Sequence, residues 1–473
     1  MTAQSFNHQI KIVSIPSPKG PPLIGQAREL IAGAPRFTSR LADEYGPIVR
    51  FTIFANHFYL IADPELAREA LVTQAANFPK DERDVTILSR MIGHGLVTTN
   101  GEAHKRQRRL TQPAFHTKRI DAYAGTMVDY TEAMVAEWRD SRTLDAAEAM
   151  RELTMYIVAQ TLFGADRVTM RATAERVGAA IHTLQDVANT EFSAPLVLPT
   201  WLPTAMNRRR RAATAVLDET IDRLITERRA NAERRPDAVD RGDLLSMLLL
   251  SQDESGDRMS DAEVRDQLLT LFVAGHETTS NALTWTWFLL GQHPAEEARL
   301  HAELDAVLGD RPPALADLPR LPYTLQVIKE AMRLYPPAWV VNIRRAAADT
   351  TLGPYPIRRG ERLWISPFVM HRRPAFFPDP ERFDPDRWTP ERERALPKYA
   401  YMPFGGGPRV CIGNGFALME AHLIVAAVAR RFRLRLAPGV AEDLNAQVTL
   451  SNHGGMPLRL EARKRVSKKK PGF

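Results

Sequence analysis

The sequence predicts a mainly α-helical fold with small β-sheets, and three features predict it. Helical periodicity runs through most of the chain, strand-like alternation is confined to short stretches toward the two ends, and one long segment is apolar almost all round. The alternating run Ile48 to Leu60 reads as a hairpin, and Thr351 to Ser366 as a second one. The long segment begins at Ser260, which stands three residues before Glu263, the reciprocal spacing that caps a helix N-terminus; it ends near Gly291 and Pro294. At 1.5 Å per residue it forms a rod of roughly 46 Å. Another helix covers about Leu321 to Tyr335 and is stopped by Pro336 and Pro337, and a third runs from about Gly413 to Arg431.

Composition narrows the class. With 473 residues, 44% of them hydrophobic, the chain can bury a large core. No Gly/Ser linker, charge block or fixed-period repeat divides it, so a single domain over residues 1–473 is expected, with a short flexible N-terminus and a basic tail at about 463–473. One cysteine permits no internal disulfide, which points to a cytoplasmic protein. No apolar run reaches the length of a signal core or of a ~20-residue span, so no transmembrane anchor is expected. The net charge of +7 comes from arginines, including Arg208 to Arg211, which read as a solvated face. Nucleic-acid binding is not indicated, because neither zinc-finger spacing nor aromatic-basic interleaving occurs.

Three constellations carry chemistry. Cys411 follows Gly405, Gly406 and Gly407 and precedes a helix; a helix N-terminus lowers a thiol's pKa, and glycines let backbone approach a flat group closely. The segment lacks the spacing of a phosphate-binding loop. The run Ala274 to Thr279 lies in the middle of the long apolar helix. Gly275 there implies a close approach to the backbone, Thr278 can bond back to the carbonyl four residues earlier, and Glu277 beside it can supply protons. His276 and Glu277 begin like a zinc-protease motif, but Ser280 stands where its second histidine belongs. Finally, Glu330 and Arg333 are three apart and share a helix face.

Phe404, Gly407, Arg409, Cys411 and Gly413 resemble the haem-binding signature of the cytochrome P450 family at all its defined positions. Ala274, Gly275, Glu277 and Thr278 are similar to that family's oxygen-activating acid–alcohol segment, and Glu330 with Arg333 to its Glu-x-x-Arg pair. Arg387 in a later Pro-rich segment matches the arginine that completes the pair. The resemblance spans nearly the whole chain. It implies haem b (iron protoporphyrin IX), held between the long central helix and the cysteine-loop helix, with Cys411 as axial iron ligand. It implies propionate partners at His104, Arg108, Arg344 and Arg409, and an Arg–Glu–Arg network bracing the cysteine loop.

The implied reaction uses O₂ and two external electrons to hydroxylate or epoxidise a hydrophobic small molecule. Electrons are expected from a ferredoxin or flavodoxin with its NAD(P)H-dependent reductase rather than from a fused flavin domain, with Arg430, Arg431 and Arg433 as candidates to meet an acidic donor. Family position puts Ile87, Leu88, Phe272, Trp339, Val340 and Val341 at the substrate, an apolar set that suits a terpene, fatty acid or polyketide-like molecule. The Pro-rich stretch Ala194 to Thr204 is expected to loop over the substrate entrance. A peroxide-using or rearranging enzyme of the same fold, or a non-catalytic haem sensor, are the alternatives; neither needs both Glu277 and Thr278.

Overall fold

A computed structural model describes residues 14–54, 56–164, 167–234, 242–253 and 256–463. The expected flexible N-terminus at 1–13 and the basic tail from 464 onward lie outside these residues. Arg463, grouped with that tail from sequence, is anchored instead: it pairs with Asp305 at 2.7 Å and donates to the carbonyls of Ala429 and Arg430. The chain forms two compact units.

The first unit gathers the described residues up to Asp84, Val340–Pro380 and Leu396–Val410. Strands Ile48–Ile53 and Asn56–Ile61 form the expected hairpin. Phe51 stacks on Phe58 with centroids 5.5 Å apart, and Trp364 meets both rings edge-on. The second expected hairpin is only half present. Thr350–Leu352 pairs with Tyr355–Ile357, but Arg362–Ile365 leaves that hairpin and lies parallel to Asn56–Ile61, with Arg344–Arg345 on its other side. Leu363, Trp364 and Ile365 are all buried, as a strand covered on both faces requires, so the alternation that marks a half-exposed hairpin is missing there.

The second unit contains Val85–Trp339, Glu381–Ala395 and the residues from Cys411 on. Its axis is the central helix Asp261–Gln292, opened by the expected capping box: Glu263 N–H donates to Ser260 Oγ at 3.2 Å, and Ser260 N–H donates to Glu263 Oε2 at 2.9 Å. It packs most extensively on helix Ala146–Phe163. Trp285 is fully buried and stacks on Tyr335 at 4.1 Å, while Trp287 donates to Met150 Sδ. Helices Arg167–Ser193 and Ala205–Arg234 pack on each other and are joined by the Pro-rich loop at 194–204. The arginine run opening the second of these is not wholly solvated: Arg210 is buried and, with Arg90, donates to the buried Glu191, each at 2.6 Å. Smaller β-elements comprise a sheet of Thr143–Asp145, Pro457–Ala462 and Phe432–Leu436, and a hairpin of Leu444–Ala446 with Leu450–Asn452.

Helix Pro322–Leu334 ends just short of its prolines and carries the buried ion network. Glu330 and Arg333 are both completely inaccessible. Glu330 Oε2 accepts from Arg333 Nε at 2.8 Å and from Trp388 Nε1 at 3.0 Å; Oε1 accepts from Arg333 Nη2, the Asp384 N–H and Arg387 Nε. Arg333 also donates to the Arg382 carbonyl. These bonds run to the segment at 382–388, so the network fixes that segment directly.

Removing either charge would strand the other in the core. Glu330→Ala and Arg333→Ala should each destabilise the protein by about 3–5 kcal/mol, read as a lower denaturation midpoint and as apoprotein or aggregate on expression. Unchanged melting in both variants would show that the network contributes nothing to the fold.

Candidate active site

Cys411 lies three residues before helix Asn414–Arg431 and is exposed. Desolvation pushes its pKa up, while the Gly413 N–H and the nearby Arg108 guanidinium pull the other way without prevailing. The glycines before it have protein reasons. Gly407 has φ +65°, and a Cβ there would sit 2.0 Å from the Leu71 carbonyl oxygen; at Gly406 it would strike the Tyr399 ring. Gly413 differs, because the nearest protein atom to a Cβ would be in the Phe115 ring at an ordinary 3.6 Å.

On the central helix, Thr278 Oγ donates to the Ala274 carbonyl at 2.7 Å, and Ala274 itself is exposed. Glu277 Oε1 accepts from Thr449 Oγ at 2.7 Å, and Oε2 accepts from Gln185 Nε2. Burial raises the Glu277 pKa, opposed by those two donors and by Arg151 and His182. Gly275 serves helix packing: a Cβ would lie 3.3 Å from Val158, and beside it Thr154 Oγ donates to the His276 carbonyl at 2.9 Å. The close approach inferred at Gly275 is therefore met by a neighbouring helix. His276 is a core histidine, bonded through Nδ1 to the Phe272 carbonyl, with its pKa lowered to about 4 by burial.

In the first unit two cations, Lys80 and Arg344, are buried within the field of the half-buried Arg409. Burial and the fields of Arg409 and Arg344 lower Lys80 to about 6; burial and Arg409 lower Arg344 to about 10, partly offset by Asp84; burial lowers Arg409 to about 10. Arg344 Nε is buried without a hydrogen-bond partner. In the second unit His104, buried, and Arg108, half-buried, stand one turn apart on helix Gly101–Thr111.

A family model described as cytochrome P450 matches residues 15–453. The chain belongs to the cytochrome P450 family. It is 42% identical over 94% of both chains to cyclooctatin synthase of Streptomyces melanosporofaciens. It is 40% identical to cyclooctat-9-en-7-ol 5-monooxygenase of the same organism, over 89% of this chain and 90% of that one. The crystal structure of the cytochrome P450DA heme domain matches with a TM-score of 0.85 and 28% identity, covering 96% of this chain and 99% of that one. This cytochrome P450 is thus a haem-thiolate monooxygenase that uses haem b, O₂, externally supplied electrons and a hydrophobic substrate. Among its described residues no helix is long and apolar enough to cross a membrane.

The residues present fit haem. A buried guanidinium with an orphaned Nε suits an anionic group such as a propionate. Lys80 was not visible as a candidate from sequence, since a lone lysine after a proline has no distinctive spacing. Thr449 and Gln185 were missed for the same reason.

Four of the expected substrate contacts of this P450 are buried in the second unit. Phe272 packs in the core against Phe163 and His276, with centroids 5.7 and 5.4 Å away. Trp339 is buried, and its indole N–H donates to the Gln447 carbonyl at 2.8 Å. Ile87 and Leu88 are buried in the same apolar cluster as Phe272, and Val340 and Val341, in the first unit, are half-buried. Arg430 is paired: it bonds Glu132 at 2.7 and 3.0 Å and the Asp310 carbonyl, and Arg431 lies 3.6 Å from the same Glu132. Arg433 alone of that trio is exposed.

Lys80 supplies a pH test. Its folded-state pKa of about 6 lies below the ordinary 10.5, so between those values the unfolded chain binds more protons than the folded one. Stability of the haem-free protein should therefore rise with pH across that window. Lys80→Met should flatten the dependence, and haem loading should weaken it by giving the ammonium an anion. Denaturant midpoints across the window check this; an unchanged slope in the variant would remove Lys80 from the cluster.

Proposed function

We propose that this P450 hydroxylates a polycyclic terpene hydrocarbon or alcohol. Similarity over nearly the full length to enzymes named for cyclooctatin and cyclooctat-9-en-7-ol supports that class over fatty acids or polyketide-like molecules. The apolar side chains of Ile87, Leu88, Val340 and Val341 are assigned to the substrate wall, with Phe272 and Trp339 supporting it from within the fold. Cys411 Sγ is assigned as the axial ligand, His104, Arg108, Arg344, Arg409 and Lys80 as propionate partners, and Phe404, Gly407 and Gly413 as shaping the loop around the cofactor. Bound haem supplies the iron at which dioxygen is reduced and one oxygen atom is inserted into the substrate.

The observation that carries the reading is the Thr278 hydroxyl bound to the Ala274 carbonyl, with Glu277 beside it. Because its proton is committed to the helix, Thr278 Oγ faces outward as an acceptor and can order a water or a protonated oxygen. Glu277, whose carboxyl pKa burial raises, is assigned to pass a proton toward Thr278. Neither a peroxide-using enzyme nor a haem sensor would need both groups. Electrons are assigned to a ferredoxin or flavodoxin with its NAD(P)H-dependent reductase, with Arg433 available to meet an acidic donor, and the enzyme to the cytoplasm.

Reduced protein with CO should give the red-shifted Soret band of thiolate ligation, and Cys411→Ser should abolish it; a globin-like spectrum for the unmodified protein would overturn the ligand assignment. Thr278→Ala and Glu277→Gln should leave haem content and substrate binding nearly intact while diverting electrons from product to hydrogen peroxide. Losses in product formation of up to about 10²- to 10⁴-fold are the scale for general acid–base groups. The check is NAD(P)H consumed, peroxide released and product formed with the same redox partners, using cyclooctat-9-en-7-ol as the first probe substrate. Coupling equal to that of the unmodified enzyme would remove the proton-delivery role.

A further inference from the structure

The Glu277 carboxyl is gripped by two neutral donors from elements far apart in sequence. Thr449 Oγ, in the turn between strands Leu444–Ala446 and Leu450–Asn452, donates to Oε1 at 2.7 Å. Gln185 Nε2, on helix Arg167–Ser193, donates to Oε2. Thr449 Oγ also accepts from Asn281 Nδ2 at 3.1 Å, one turn along the central helix from Glu277.

The turn that carries Thr449 is itself fixed. Trp339 Nε1 donates to the Gln447 carbonyl at 2.8 Å, the Leu450 N–H to the Pro337 carbonyl at 2.9 Å, and Trp285 Nε1 to the Leu450 carbonyl at 3.1 Å. The helix of Gln185 reaches the same turn through Asn189, four residues on and so on the same helix face. Asn189 Oδ1 accepts from the Val448 N–H at 3.3 Å, and its Nδ2 donates to Gln447 Oε1. One helix face therefore holds both the acid and the turn that holds the acid.

We propose that Thr449 and Gln185 are positioning residues for proton delivery: together they hold the Glu277 carboxyl in one orientation beside Thr278, and Asn189 locks their two elements into a single bracket. The proposal rests on the proton-delivery reading of Glu277. Its chemical logic lies in the choice of partners. A carboxylate accepts at both oxygens, whereas the protonated acid must donate from one of them. The amide nitrogen of Gln185 can only donate, so it suits Oε2 in both states. The Thr449 hydroxyl donates to the carboxylate and, having two lone pairs, can accept from the acid while still accepting from Asn281. Glu277 can thus change protonation state with the proton on Oε1 and keep both partners. Without them, the carboxylate would be drawn toward the groups that face it, the Arg151 guanidinium on helix Ala146–Phe163 and the His182 imidazole on the helix of Gln185.

The test uses the haem-loaded enzyme and needs no substrate. The carboxyl C=O stretch of Glu277 is identified by infrared difference spectroscopy as the band lost in Glu277→Gln, and is then titrated. Thr449→Val keeps the side chain's shape and removes the hydroxyl; Gln185→Leu removes the amide. Each should move the band, because a bond to the carboxyl is lost. Each should also raise the titration midpoint, because a donor that stabilises the carboxylate is gone. The expected rise corresponds to a roughly fivefold change in the protonation equilibrium, the scale of one hydrogen bond. Thr449→Ser should restore both values, which a merely structural disturbance of the turn would not. Asn189→Leu should broaden the band as the bracket loosens.

An unmoved band and midpoint in both Thr449→Val and Gln185→Leu would overturn the proposal. So would a shift in Thr449→Val that Thr449→Ser fails to reverse. The reading beneath it fails separately: if Glu277→Gln stays fully coupled while Thr449→Val moves the band, Glu277 is held as described but does not deliver protons.

Discussion

A helix buried on nearly every side has no solvent to satisfy its polar side chains, and the central helix Asp261–Gln292 meets this constraint by turning them back on itself. Thr278, Thr279, Thr284 and Thr286 donate to carbonyls four residues earlier, Ser280 to one three residues earlier, and His276 engages the Phe272 carbonyl. Thr154 on the neighbouring helix donates to the His276 carbonyl, at the point where Gly275 admits Val158. The two helices can pack this closely because little polar capacity is left over between them. Where capacity does remain, at Thr278 and Glu277, the helix presents a hydroxyl already oriented by its own backbone and a carboxyl held from outside.

Buried charge is treated in two opposite ways. Glu330 is closed on itself: both oxygens are taken by arginines, an indole and a backbone N–H, so the ion pair costs little and orders the segment at 382–388. At Arg344 a buried guanidinium nitrogen is left without a partner, and the field of Arg409 lowers the pKa of both Arg344 and Lys80. A fold keeps such an arrangement when something anionic completes it, which is what haem propionates provide. Glu330 thus serves the architecture, and the orphaned Arg344 nitrogen is a place for an anion.

The same distinction separates the arginines that looked alike as a sequence. Arg208 to Arg211 read as one solvated run, yet Arg210 is buried against Glu191 while Arg208, Arg209 and Arg211 are exposed. Arg430 and Arg433 are three apart near the end of the cysteine helix; one is locked to Glu132 and the other is exposed. Composition reports how many charges a chain has, and only packing reports which of them face water.

What the sequence determined by itself were the features whose physics is local. The Ser260–Glu263 cap, the proline stop after helix Pro322–Leu334, the hairpin at 48–61 and the Glu330–Arg333 pair all join residues within a few positions, so spacing alone records them. The haem signature around Cys411 was legible because its members lie within ten positions of one loop. Tertiary structure decided what depends on contacts between distant segments. It took Arg362–Ile365 out of its expected hairpin, turned Phe272 and Trp339 into the fold, gave Gly275 and Gly407 protein neighbours, and put Lys80 beside Arg344. It also brought Gln185 and Thr449 onto Glu277. Such pairings follow no period and leave no pattern in the chain, because the geometry that creates them exists only after the elements have packed.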